Sequence, residues 1–235
     1  MRGLAALAAL IALLPAPVLA QAYQCRIPPR SLPVPEVRQD GPTRQLPVAG
    51  YTLALSWSPE FCKSRGDSPR HARQCSGEGG NFGFIVHGLW PEGRGNAWPQ
   101  WCATRRELTP PAIRQNMCIT PDARLMAHEW AKHGSCMVNR PETYFAVTRV
   151  LWNSLRWPDY DRLSRKDGLT AGEVRRAFAD ANRYWEPEMI GLDVNERGWL
   201  EEMRLCYAKD FKPAPCRPHQ FGPDDDSQVK IWRGM

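Results

Sequence analysis

Three of the five histidines of this 235-residue chain stand in two short charged stretches, 87–92 and 128–133. The second reads His128-Glu129-Trp130-Ala131-Lys132-His133. On a helix turning roughly 100° per residue, His128, Lys132, Leu125, Glu129 and His133 share one arc of roughly 140°. Met126 and Trp130 border that arc, and only Ala127, Ala131 and Gly134 lie opposite. A solvated helix face would mix Glu, Lys and Gln rather than hold two histidines. Glu129 and His133 are four apart and can touch; a carboxylate beside an imidazole orients it and favours its protonated form. Lys132 and His133 fall in the last turn, where the helix dipole favours cations. Such a cluster suits acid–base chemistry on a group that develops negative charge.

One histidine cannot be acid and base in the same step. The candidate for the second is His87, which opens His87-Gly88-Leu89-Trp90-Pro91-Glu92. Alone, a histidine after an apolar run is more often structural; the charged arc changes that balance. His71 lies in a polar loop and His219 in a Pro-rich tail, and both read as surface residues. A metal site is disfavoured, because His128 and His133 are five apart rather than at the i, i+4 spacing of the zinc-protease motif. Lys132 between them would also repel a cation.

Several elements must position these groups. Tyr51 to Trp57 alternates at period two and reads as a strand. Ser58 to Gly80 reads as a loop that Cys62 and Cys75 could staple. Phe82 to Val86 is a short apolar run, read as a buried strand with His87 at its end, and Gly88 to Cys102 as a loop with Trp90, Trp98 and Trp101. Thr109-Pro110 and Thr120-Pro121 each resemble a helix start, the second opening the His128–His133 helix, with Gly134 as its stop. Pro141 to Trp157 reads as an amphipathic helix with Phe145, Val147, Val150, Leu151 and Leu155 on one side. Thr170 to Glu173 matches a capping box. Glu188 to Val194 and Leu200 to Tyr207 read as strands, Cys206 and Cys216 could close the turn that follows, and Val229 to Trp232 reads as an edge strand. Strands, then helices, then strands predict an α+β fold: a central antiparallel sheet flanked by several helices.

Residues 1–22 have the pattern of a secretory signal: Arg2, an apolar run from Leu4 to Leu14, then Ala20 and Ala22. Pro15 and Pro17 argue against a membrane anchor. Residues 23–49 form a Pro-rich segment expected to be extended and tied down by Cys25, and residues 50–235 are expected to form a single domain. Eight cysteines in an exported chain suggest four disulfides. The formal charge is +6, and removing 1–22 removes only Arg2. That mild excess is compatible with a polyanionic partner.

Phe84 to Glu92 and His128 to Cys136 resemble, in order, the two active-site segments of the ribonuclease T2 family, secreted acid endoribonucleases of low base specificity. The resemblance extends to Leu53 through Cys62 and, more loosely, to Cys206 and Cys216, covering about residues 50–216. It implies His87 and His133 as the acid–base pair. Glu129 and Lys132 would stabilise the pentacovalent phosphate, His128 and Lys132 would bind phosphate, and Trp90, Glu92 and Trp98 would contact bases. Trp98 stands where relatives often have tyrosine. A non-catalytic relative would normally lack one of the two histidines. The resemblance also implies single-stranded RNA as substrate, no cleavage of DNA, no cofactor or metal, a secreted or periplasmic monomer and no membrane anchor. It implies Cys102–Cys136, with Cys62–Cys75 and Cys206–Cys216 as local staples, which leaves Cys25 for Cys118.

Overall fold

The computed structural model describes residues 25–29, 32–103 and 107–234. The signal expected over residues 1–22 lies outside them. The strands are β1 (Gly50–Trp57), β2 (Phe84–Glu92), β3 (Ile190–Val194) and β4 (Leu200–Ala208). The helices are α1 (Ser58–Cys62), α2 (Ala72–Cys75), α3 (Pro110–Asn116), α4 (Ala123–Lys132), α5 (Pro141–Ser154), α6 (Tyr160–Ser164), α7 (Ala171–Ala181) and α8 (Pro218–Phe221). The strands form one antiparallel sheet in the order β2-β1-β4-β3. The fold is therefore α+β with a sheet flanked by helices, as the order of patterns predicts. Among the described residues no helix is long and apolar enough to cross a membrane.

Alternation on the strands sends one set of side chains into a shared core. Leu53 and Leu55 of β1 and Met203 and Leu205 of β4 are fully buried there. They pack with Met126 and Trp130 of α4, Tyr144 and Trp152 of α5 and Phe178 of α7. Four disulfides join Cys25 to Cys118, Cys62 to Cys75, Cys102 to Cys136 and Cys206 to Cys216.

Several boundaries differ from the sequence reading. The 58–80 segment contains two short helices, with Cys62 and Cys75 at their ends. β2 does not stop at His87 but runs on to Glu92. Pro91 suggested a loop, yet β2 is an edge strand, where a missing N–H is tolerated. Thr120 does not cap α4. Its hydroxyl donates to the Val86 carbonyl at 2.9 Å, and Asp122 caps instead, accepting from the amides of Arg124 and Leu125. Gly134 does not end α4 in a left-handed turn; it begins a 3₁₀ turn, Gly134–Cys136. Its need for glycine is packing, since a Cβ would sit 2.6 Å from Trp130 and 2.7 Å from Tyr144.

Further along, α5 ends at Ser154, because Leu155 is extended and Asn182 takes the Arg156 backbone in two hydrogen bonds. Its inner face is Tyr144, Phe145, Thr148, Leu151 and Trp152, whereas Val150 is exposed. The capping box at Thr170 is present. Pro187–Met189 forms a 3₁₀ turn before β3. Val229 to Trp232 forms no ladder. It divides its backbone bonds between Leu169 on one side and the Gly198–Leu200 segment on the other.

Candidate active site

The register of β1 with β2 explains where His87 points. Ala54 faces Gly88 and Leu55 faces Val86, so His87 is the extra residue of a bulge. A bulge bends the strand and re-aims the side chain it carries. On the neighbouring central strand, Ser56 pairs with Glu202 and Ala54 with Arg204. Small residues on β1 let the His87 ring reach across it to β4. His87 Nδ1 lies 2.7 Å from Glu202 Oε2, and Glu202 Oε1 accepts from Arg204 Nε at 3.0 Å. Arg204 also donates to Asp193 of β3.

The other edge of His87 meets α4. Its Nε2 lies 3.7 Å from Glu129 Oε1, and Trp90 Nε1 donates to Glu129 Oε2 at 2.6 Å. Gly88 makes this approach possible, since a Cβ there would fall 2.1 Å from Glu129 Oε2 and 2.6 Å from Trp90 Nε1. The Tyr144 hydroxyl fixes the next residue, accepting from the Leu89 amide at 3.0 Å and donating to its carbonyl. His133 sits just past the last turn of α4, its amide bonded to the Glu129 carbonyl. Its ring lies 5.6 Å from the Trp90 ring, and its Nδ1 is buried without a hydrogen-bond partner among the described residues. That leaves Nε2 as the atom that can serve a substrate.

These contacts correct one sequence expectation. Glu129 does not pair with His133, because the Trp90 indole takes that carboxylate; Glu129 and Glu202 flank His87 instead. Burial alone would lower the His87 pKa, but the Glu202 hydrogen bond and the charges of Glu129 and Glu202 raise it to about 9. Burial, together with the nearby charges of Lys132, His128 and His87, lowers His133 to about 3. Burial likewise raises Glu129, against the pull of His87. Burial would raise Glu202 too, but its bond to His87 holds it below the usual carboxylate range. The two histidines of one cavity are thus driven to opposite protonation states.

His128 and Lys132 lie on the same arc, as the helix projection places them. They share a partner that local spacing cannot reveal: Asp40 Oδ2 is 3.0 Å from Lys132 Nζ and 3.6 Å from His128 Nε2. Trp101 is fully buried and meets the His128 ring edge-on. A cavity of about 380 Å³ joins His87, His128, Glu129, Lys132 and His133 to Trp90, Glu92 and Trp98. Trp98 is partly exposed, with Arg44 over its ring at 4.6 Å. Glu92 Oε1 accepts from the Thr52 hydroxyl at 2.6 Å, and Gln220 donates to that hydroxyl.

His219, read from the sequence as a plain surface residue, lies 3.8 Å from Glu92 and lines the cavity. His71 is half-buried, edge-on to Phe61. Glu202, Arg204 and Asp40 are site residues that the sequence reading missed. For Glu202 and Arg204 a signal existed, namely two charges alternating with Met203 and Leu205 on a strand that turns out to be central. Asp40, in a segment without periodicity, carried none.

The family model described as "Ribonuclease T2 family" matches residues 49–175. A protein of Haemophilus influenzae described as a probable ribonuclease is 36% identical over an alignment of 194 positions, covering 75% of this chain and 64% of that protein. This chain thus spans less than two thirds of that relative. Ribonuclease I of Escherichia coli is 32% identical over 215 residues, covering 74% of this chain and 80% of the relative. Among solved structures, an RNase-related protein from Calystegia sepium superposes with a TM-score of 0.60 at 21% identity, covering 78% of this chain and 96% of the other. With both histidine segments inside the matched region and the fold shared, this chain belongs to the ribonuclease T2 family.

Proposed function

We propose that this protein is a metal-independent endoribonuclease. In this reading it cleaves single-stranded RNA by transphosphorylation, through a 2′,3′-cyclic phosphate to a 3′-phosphate end, with low base specificity. The observation that carries the proposal is the opposed pair. His87, bonded to Glu202 and facing Glu129, and His133, whose Nδ1 is buried and unbonded among the described residues, line one cavity, and these surroundings push the first pKa up and the second down. An acid and a base are needed at once, and each is held in the form its role requires.

In the first step, His133 Nε2 takes the proton of the ribose 2′-hydroxyl as that oxygen bonds to phosphorus. The bond from phosphorus to the 5′-oxygen breaks, and His87 Nε2 gives its proton to that oxygen. In the second step the roles reverse, as water opens the cyclic phosphate. Glu202 holds His87 by Nδ1, which keeps Nε2 free to deliver the proton. Lys132 attracts the phosphate and offsets its developing charge, and His128 beside it offers a ring nitrogen to bind the phosphate. Glu129 steadies the charge on His87 and, through Trp90, fixes the wall between the two histidines. The Trp98 ring and the Glu92 edge offer a base a stacking surface and an acceptor, which tolerates different bases. DNA lacks the attacking hydroxyl and is expected to resist cleavage. Four disulfides favour an oxidising location, so the protein is read as secreted or periplasmic.

The test is single-stranded RNA incubated with enzyme and EDTA, the new ends analysed for cyclic phosphate. Wild-type activity should survive the chelator, while His87→Phe and His133→Phe should each lose at least about a thousandfold, in the range seen when an acid–base pair is broken. Activity abolished by EDTA, or a wild-type rate in either variant, would overturn the reading.

A further inference from the structure

A strap formed by residues 39–45 places a carboxylate against Lys132 and His128, the two side chains that the proposed reaction assigns to phosphate. Burial and the Lys132 charge lower the His128 pKa, so Lys132 carries the positive charge there. Besides its contacts with Lys132 and His128, Asp40 accepts a hydrogen bond from Trp101 Nε1 at 3.1 Å. The strap holds it there. Arg44 and Gln100 exchange both backbone hydrogen bonds, Gln100 Nε2 donates to the Pro42 carbonyl at 2.8 Å, and the Thr43 hydroxyl donates to the Trp101 carbonyl. Partial burial would raise the Asp40 pKa, but the Lys132 hydrogen bond and the charges of Lys132 and His128 hold it below its ordinary value. The site therefore carries a fixed negative charge on its phosphate side, one that the proposed steps do not use.

Such a charge weakens anion binding, and it does so unequally. A phosphodiester carries one negative charge. A phosphomonoester carries nearly two above its second pKa of about 6. Coulomb repulsion scales with ligand charge, so a fixed carboxylate penalises the monoester twice as strongly in energy. We propose that Asp40 is a specificity-determining residue that discriminates phosphodiesters from phosphomonoesters at the Lys132–His128 site, keeping it clear of 3′-phosphate product and free phosphate. The proposal takes its ligand chemistry from the RNA-cleaving reading above.

The test measures binding directly, so it does not depend on turnover. Deoxyuridine 3′-phosphate and its 3′-methyl ester lack the 2′-hydroxyl and are not cleaved by this chemistry. Both are titrated calorimetrically into wild type and Asp40→Asn at pH 7.5. Asparagine removes the charge and keeps the acceptor for Trp101, but it turns an amide NH2 toward Lys132 where the second carboxylate oxygen accepted. With the phosphate roughly 6 Å from the lost charge in a largely aqueous setting, the ester should bind about threefold tighter and the monoester about tenfold tighter. Asp40→Ala should show the same difference between ligands, which separates charge from local packing. Equal gains for both ligands, no gain, or weaker binding would overturn the proposal while leaving the phosphate site intact. Failure of either ligand to bind either protein would remove the phosphate site itself, and with it the functional reading.

Discussion

Glu202 sets the charge state of His87, the histidine proposed to give up a proton in the first step. It bonds His87 at 2.7 Å and adds its own negative charge, while Arg204 keeps it ionised and in place. Replacing it by glutamine keeps a hydrogen-bonding group and removes the charge. The His87 pKa should then fall from about 9, since the hydrogen bond and the charge of Glu202 both hold it up against burial. His133 owes its depression to burial, Lys132, His128 and His87, none of which changes. In the first step His87 must be protonated and His133 neutral, so kcat/KM should follow a bell bounded by these two groups in the free enzyme. Glu202→Gln should move the alkaline limb at least about one pH unit toward acid and leave the acid limb where it was. An alkaline limb that stays put in this variant would remove Glu202 from its role as the positioning residue of His87.

At the scale of elements, the site is a joint between a bulged edge strand and the end of a helix. α4 and its charged arc were readable because helical periodicity is local and four ionisable residues on one face stand out. The capping box at Thr170 was readable for the same reason. β2 was readable only in part. Pro91 and three tryptophans look like a loop in one dimension, and only the sheet order reveals an edge strand that tolerates proline. The pairing of Glu129 with His87 rather than His133 was out of reach, because it depends on a bulge in another element and on the Trp90 side chain between them. Asp40 was out of reach because 92 residues separate it from Lys132. Gly88 is where the joint can be tested. An alanine Cβ would collide with Glu129 and Trp90, so one of the two elements must shift. Gly88→Ala should lower kcat by about a hundredfold or more, as misplacement by about 1 Å does in a preorganised site. The four-stranded sheet should persist by circular dichroism. A variant with wild-type kcat would show that the close approach of α4 to β2 is not needed.

For the molecule as a whole, the same two histidines couple the site to global stability, with opposite signs. The folded His87 pKa is raised above its ordinary 6.5 to about 9. Its contribution is fully present below about 6.5 and is lost as pH rises through 9. The folded His133 pKa is depressed to about 3. Its neutral form fits the fold, so its contribution holds above 6.5 and is lost as pH falls toward 3. Unfolding near pH 8 should therefore release a proton from His87, and unfolding near pH 5 should take one up at His133. The slope on each side is at most about 1.4 kcal/mol per pH unit for one proton, and smaller for His87, whose ring is half-open to the cavity. Carboxylates add to the acid side, so the variants are needed to isolate what each histidine contributes. With the four disulfides intact, calorimetric Tm should pass through a maximum between pH 5 and 8. His133→Phe should flatten the acid side and leave the alkaline side unchanged, and His87→Phe should do the reverse. Identical Tm–pH profiles in wild type and both variants would mean that neither histidine is held in the protonation state on which the proposed chemistry depends.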